Sequence, residues 1–177
     1  LRAAQNLPDF DPDNPLKFYG DRYTFHDESD TSIRWAQDWE TFDEDLHYLM
    51  RDHFAEVDDS GVFVGGGRNL TDVDDLQRLK TAKPRGHDGG RTYDDVGGVY
   101  APSQRVCGCS HKAWFSDTHS TALHEGGHVI DDALGRVSGS AEWKAAHDAI
   151  PMNDWMNPYY RATGNPTGYL SESWAES

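Results

Sequence analysis

The sequence predicts an α+β fold in which a small sheet packs against helices, one of them carrying the run His124-Glu125-Gly126-Gly127-His128. Three observations predict it. Short apolar runs at Val62-Phe63-Val64 and between Gly98 and Cys109 are of strand length and are bounded by Gly, Pro and Ser. Further along and before them, apolar residues recur at three- and four-residue spacing, as on one face of a helix. The two histidines of the HEGGH run are four apart, which places both imidazoles on one face only if that run is helical.

The bulk composition sets the frame for these elements. A chain of 177 residues fits one domain with a real core. Aromatic residues make up 12% and are spread along its length, unlike the composition of disordered segments. The net charge of −15 excludes a nucleic-acid partner, which needs clustered Lys and Arg, and an anionic membrane surface. No apolar run reaches the roughly 20 residues that membrane spanning requires, so no membrane insertion is expected. The chain opens on Leu1 with no apolar leader, as a processed protein or an excised piece would, and a secreted or virion-associated location is the expectation. Only Cys107 and Cys109 are present, too close in sequence to suggest a disulfide framework.

In chain order, residues 1–32 read as an irregular lead-in rich in Pro, Asp and aromatics. Thr41 followed by Glu44 has the form of a capping box, and Phe42, Leu46, Leu49, Met50, His53 and Phe54 then trace one helical face to about Val57. Val62 to Val64 form a strand stopped by Gly65, Gly66 and Gly67; that triplet lacks the Lys and spacing of a phosphate loop and reads as a turn. Thr71 to Lys80 reads as a short helix, and 83–90 as loop. Two short strands joined by a turn account for Tyr93 to Ser110. Ser116 or Asp117 is placed to cap the helix that carries HEGGH, and Gly135 to stop it. Ala141 to Ile150 is a further helix ended by Pro151, and a last helix begins near Ser171. The expected organisation is one domain over 1–177, helical and mixed over 1–92, with a metal-binding core over 93–177, within a longer chain.

The chemistry lies in the HEGGH run. On a helix His124 and His128 aim at one ion, and Glu125 sits beside that ion, where it can take a proton from an attacking water and pass it to a leaving amine. This is the pattern of a zinc-dependent peptidase acting on a protein or peptide substrate, with Zn2+ as cofactor. Such zinc has three protein ligands and one open position. A histidine six residues beyond His128 would complete one known arrangement, but Leu134 stands there. The third ligand is therefore sought in a distant carboxylate, and Glu172 is the best candidate, with Glu176 one turn later to orient a ligand imidazole. Asp131 and Asp132, one turn beyond His128, could serve the same orienting role. Glu142 and Asp148 read as solvated acids.

The pattern HEGGHVIDD, followed downstream by Glu172-Ser-Trp-Ala-Glu176, resembles the gluzincin domain of anthrax-lethal-factor-like metallopeptidases, which include the lethal factor protease domain and the clostridial Pro-Pro endopeptidases. The resemblance runs over about residues 93–177. It implies a zincin-like fold, His124, His128 and Glu172 as metal ligands, and Glu125 as catalytic base. It also implies that the segment GGVYAPSQRV is the edge strand along which a peptide lies extended. The family stabilises the oxyanion with a tyrosine two helical turns before the Glu ligand, but Asn165 occupies that place. Tyr169 is the nearest substitute and Tyr160 the next. Peptide deformylases share H-E-x-x-H but place Asp before the second His, where this chain has Gly127.

Other groups are read structurally. Cys107, Cys109 and His111 lack the second ligand pair of a zinc ribbon, so the thiols are expected to be buried on a strand. His119 is half a turn off the ligand face, and His26, His47, His53, His87 and His147 are isolated. The rival function is a catalytically inactive module of the same fold, used for binding or assembly in a toxin or phage particle. Neither substrate specificity nor oligomeric state is written in these residues.

Overall fold

In the computed structural model, residues 10–84, 90–113, 120–149 and 169–175 are described. Four strands form one sheet: β1 (Tyr23–Phe25), β2 (Gly61–Val64), β3 (Gly98–Ala101) and β4 (Val106–Cys109), in the spatial order β1-β2-β4-β3. β1 runs parallel to β2, and β2 runs parallel to β4. β3 turns back antiparallel on β4 and forms an edge, with Tyr100 opposite Cys107. Among the described residues, five α-helices accompany the sheet: α1 (Asp30–Trp39), α2 (Glu44–Ala55), α3 (Thr121–Ala133), α4 (Ala141–Ala149) and α5 (Tyr169–Ala175).

The alternation of strand side chains divides the core in two. Val62, Val64, Tyr100, Cys107 and Cys109 face the helical side, where they meet Trp39, Met50, Phe54, Ala122, Val129 and Ile130. Phe63, Val99, Ala101 and Val106 face the other side and are covered by Leu70, Val73, Leu76 and Leu79. Each large apolar side chain buried in this way contributes about 1.5–3 kcal/mol relative to exposure. The segment expected as a helix from Thr71 to Lys80 is instead two 3₁₀ turns, Leu70–Asp72 and Asp74–Leu79.

Residues 10–39 hold more regular structure than their sequence suggests. Pro15–Arg22 is a 3₁₀ segment leading into β1, and α1 follows within five residues. Ser29 caps α1 by accepting from the Ser32 amide at 3.2 Å. Asp27 accepts from the Ser29 and Ser32 hydroxyls, each at 2.7 Å, and from the Gly67 amide, which ties α1 to the turn after β2. The Arg22 guanidinium donates to the carbonyls of Phe54, Val57 and Ser60, binding the end of α2 to the start of β2.

The expected capping box at Thr41 does not form. Thr41 donates its hydroxyl to the Asp38 carbonyl at 2.6 Å and so closes the end of α1, while Asp43 is the N-cap of α2. The boundary moved because two helices meet there, and the cap-like residue belongs to the first. Among the described residues, no helix is long and apolar enough to cross a membrane.

Candidate metal centre

α3 is the central helix, packed against α1, α2, β3, β4 and α5. Its N-cap is Ser120, whose hydroxyl accepts from the Leu123 amide and donates to Asp38 at 2.6 Å. Ser116 and Asp117, expected as caps, lie outside the described residues. The helix ends at Ala133, and Gly135 follows in the left-handed region at φ 80°, where a side chain would be strained.

The sequence-predicted ligands converge. His124 and His128 project from one face of α3, and Glu172 reaches them from α5. The Nε2 atoms of the two rings are 3.2 Å apart. Glu172 Oε2 lies 3.3 Å from His124 Nε2 and 3.6 Å from His128 Nε2. Zinc bonds of about 2.05 Å set tetrahedrally give ligand–ligand edges of about 3.3 Å. The three donors therefore already describe one face of such a tetrahedron, and they form a group that could hold a metal ion.

The carboxyls at this centre are pulled in opposite directions. Burial works to raise the pKa of Glu172, but hydrogen bonding from His124 and His128 outweighs it and holds the group at about 2. Glu172 is thus a carboxylate, the form a metal ligand needs. Glu125 is 8% exposed, and its pKa is raised. Burial is the main cause and the Glu172 charge adds to it, against the two imidazoles and the Tyr100 backbone amide.

β3 runs alongside this face of α3. The Ser110 amide donates to the Gly97 carbonyl, so the antiparallel alternation turns the backbone groups of Gly98 and Tyr100 away from β4. A Cβ on Gly98 would meet Thr121 Cγ2 at 2.5 Å, Glu125 Cγ at 3.0 Å and its Oε1 at 3.1 Å, so glycine lets the strand lie this close to α3. Both glycines of HEGGH have similar reasons. A Cβ on Gly126 would strike the Phe42 ring at 2.5 Å, and one on Gly127 would strike the Ala175 Cα at 2.7 Å. Gly98 and Gly127 escape sequence reasoning because the elements they admit are distant in the chain.

The neighbouring acids are engaged elsewhere. Asp131 accepts from the Ser138 amide at 2.7 Å and hydroxyl at 2.6 Å, fixing the turn after α3. Asp132 accepts from the Tyr100 hydroxyl at 2.8 Å and pairs with Arg136 at 3.1 Å, while His53 Nε2 lies 2.8 Å from the same hydroxyl. The orienting role expected for these two acids is thus replaced by structural ones. Ser171, which the sequence did not flag, places its Oγ 3.3 Å from His128 Nδ1.

Glu176, Tyr160 and the side chain of Tyr169 lie outside the described residues. Cys107 and Cys109 are free and buried, as expected of structural thiols; burial pushes the Cys109 thiol up to about 12. His111 turns its ring to the Arg68 carbonyl at 3.1 Å.

No family model matches the chain, and no curated protein matches its sequence. Among solved structures, the Pro-Pro endopeptidase PPEP-2 from Paenibacillus alvei superposes with a TM-score of 0.65 at 21% sequence identity, covering 89% of this chain and 83% of that one. At that identity the likeness concerns the fold. It bears out the expected α+β class with a small sheet.

Proposed function

We propose that the protein is a zinc-dependent endopeptidase of the gluzincin kind, in which His124, His128 and Glu172 hold the ion and Glu125 is general base and then general acid. The observation that carries this reading is the triangle of donor atoms with edges of 3.2, 3.3 and 3.6 Å. It has the size of one face of a zinc tetrahedron and leaves the fourth position for water or substrate. Bound there, zinc would polarise the scissile carbonyl and acidify the attacking water.

Glu125 supplies the proton transfer. It follows His124 directly, so its carboxyl lies beside the ligand face rather than on it. Its raised pKa moves it toward the range in which a group both accepts and returns a proton near neutrality. The Tyr100 backbone amide favours its charged form. The outward-facing backbone of Gly98 and Tyr100 offers an extended peptide a strand to pair with, whatever its side chains. Water attacks directly in this scheme, and no covalent enzyme intermediate forms.

The test is cleavage of a mixed peptide library by the wild-type protein and by Glu125→Gln, with bound zinc measured on both. We expect about one zinc per chain in each and a rate loss of about 100-fold or more in the variant. Equal cleavage by both would remove Glu125 from the mechanism. A wild-type protein without zinc affinity would remove the metal centre. Zinc binding without cleavage would favour the non-catalytic binding or assembly module.

A further inference from the structure

We infer that Ser171 is a positioning residue for the metal centre: its hydroxyl oxygen accepts the Nδ1 proton of His128 and so fixes the tautomer that leaves Nε2 free to bind the ion. The inference rests on the proposed metal-binding role of His128 and assigns the partner that role requires.

His128 Nε2 is the ring atom that faces the other two donors, 3.2 Å from His124 and 3.6 Å from Glu172. A neutral imidazole carries one proton, so a ligand Nε2 requires that proton on Nδ1. An Nδ1–H in a half-buried ring needs an acceptor, and without one the tautomer and ring orientation are both free to change. Ser171 Oγ lies 3.3 Å from that atom. Asp131 and Asp132, one turn beyond His128, are bound to Ser138 and to Tyr100 with Arg136.

The placement of Ser171 follows from the same contacts that deliver Glu172. The two residues are consecutive on α5, and Gly127 lets the α5 backbone close on α3. The Trp143 indole of α4 donates to the Leu170 carbonyl at 3.0 Å and packs edge-on against Trp174, with centroids 4.9 Å apart. One docked helix thus brings a ligand for the ion and an acceptor for the neighbouring ligand's far side. Loss of such an acceptor weakens metal affinity by about 10–100-fold in comparable sites.

The experiment measures zinc affinity of the whole chain by competition with a chromogenic chelator, for wild type, Ser171→Ala, Ser171→Thr and His128→Ala. Long-range 1H–15N spectra of the zinc-loaded proteins read the His128 ring. Ser171→Ala should bind zinc about 10-fold more weakly, and its Nδ1–H resonance should shift or exchange away. Ser171→Thr, which keeps the hydroxyl, should restore both. Wild-type affinity and an unchanged Nδ1–H signal in Ser171→Ala would overturn the assignment while leaving the metal centre standing. Zinc affinity unchanged in His128→Ala would overturn the metal-centre reading, and this inference with it.

Discussion

Gly127 lies directly against the backbone of Ala175: a Cβ at Gly127 would sit 2.7 Å from both the Cα and the carbonyl oxygen of that residue. Gly127 is therefore the floor on which α5 rests, and the distance from floor to helix sets where Glu172 arrives. Backbone atoms cannot swing aside as a side chain would.

Gly127→Ala should displace α5 and with it Glu172. The substitution favours the helix intrinsically, yet overpacking of this kind costs about 1–3 kcal/mol. We expect zinc affinity at least about 10-fold weaker, measured by chelator competition, with α3 still formed by circular dichroism. Unaltered affinity would mean that α5 is not held against Gly127 in solution.

Zinc should raise the melting temperature through the same three residues. A ligand at 100 times its Kd stabilises by about 2.7 kcal/mol, which for a domain of this size is a rise of about 5 °C or more. Scanning calorimetry with and without zinc reads it. Glu172→Gln and His124→Ala should give much smaller rises; equal rises in all three proteins would point to binding elsewhere.

Asp27 makes part of the stability dependent on acid. Burial works to raise its pKa, but hydrogen bonds from Ser29, Ser32 and Gly67 outweigh it and hold it at about 2, against an ordinary 3.8. A depressed carboxyl stabilises the fold above its unfolded pKa and ceases to do so as the folded pKa is passed. The denaturation midpoint should therefore fall between about pH 4 and pH 2, and Asp27→Asn should flatten that part of the profile. A variant whose midpoint parallels wild type through this window would refute the assignment.

Tyr100 joins three elements by one hydroxyl, which donates to Asp132 of α3 while lying 2.8 Å from His53 of α2. Tyr100→Phe removes it and leaves Asp132 without that donor, at a cost of about 1–3 kcal/mol in urea denaturation. The backbone amide of Tyr100, which favours the charged form of Glu125, is kept in this variant, so kcat should be unaltered. A fall in kcat beyond the loss of folded protein would show that the hydroxyl also serves the centre.

Tyr169 is the residue we propose for stabilising the oxyanion. Tyr169→Phe should lower kcat by about 100-fold or more with zinc content preserved. If Tyr160→Phe does so instead, the assignment passes to that residue.

The parts legible in the sequence were those whose signal is local. The spacing of His124 and His128, the apolar run Val62 to Val64, and the glycine stop at Gly135 each require only neighbouring residues to interpret. β1 was missed because three residues are too few for alternation to show. α1 was missed although Ser32, Trp35, Ala36 and Trp39 have helical spacing, because a buried serine does not read as core. Thr41 misled because it looks like the start of α2 but serves the end of α1. In the centre, the convergence of Glu172 followed from a motif at the level of family resemblance. The need for glycine at positions 98 and 127, and the contact of Ser171 with His128, depend on tertiary approach and leave no periodic trace.

The separation of 43 residues between His128 and Ser171 gives the short α5 a thermodynamic consequence. A helix of seven residues is too short to persist alone in water, so it exists by virtue of being docked. An ion held between α3 and α5 as proposed would act as a reversible cross-link that closes a large loop, and the entropy of that closure would become part of the binding equilibrium. Metal affinity and the folding of α5 would then be one coupled quantity. Withdrawing zinc with a chelator should expose the amides of residues 169–175 to hydrogen exchange while those of α3 stay protected.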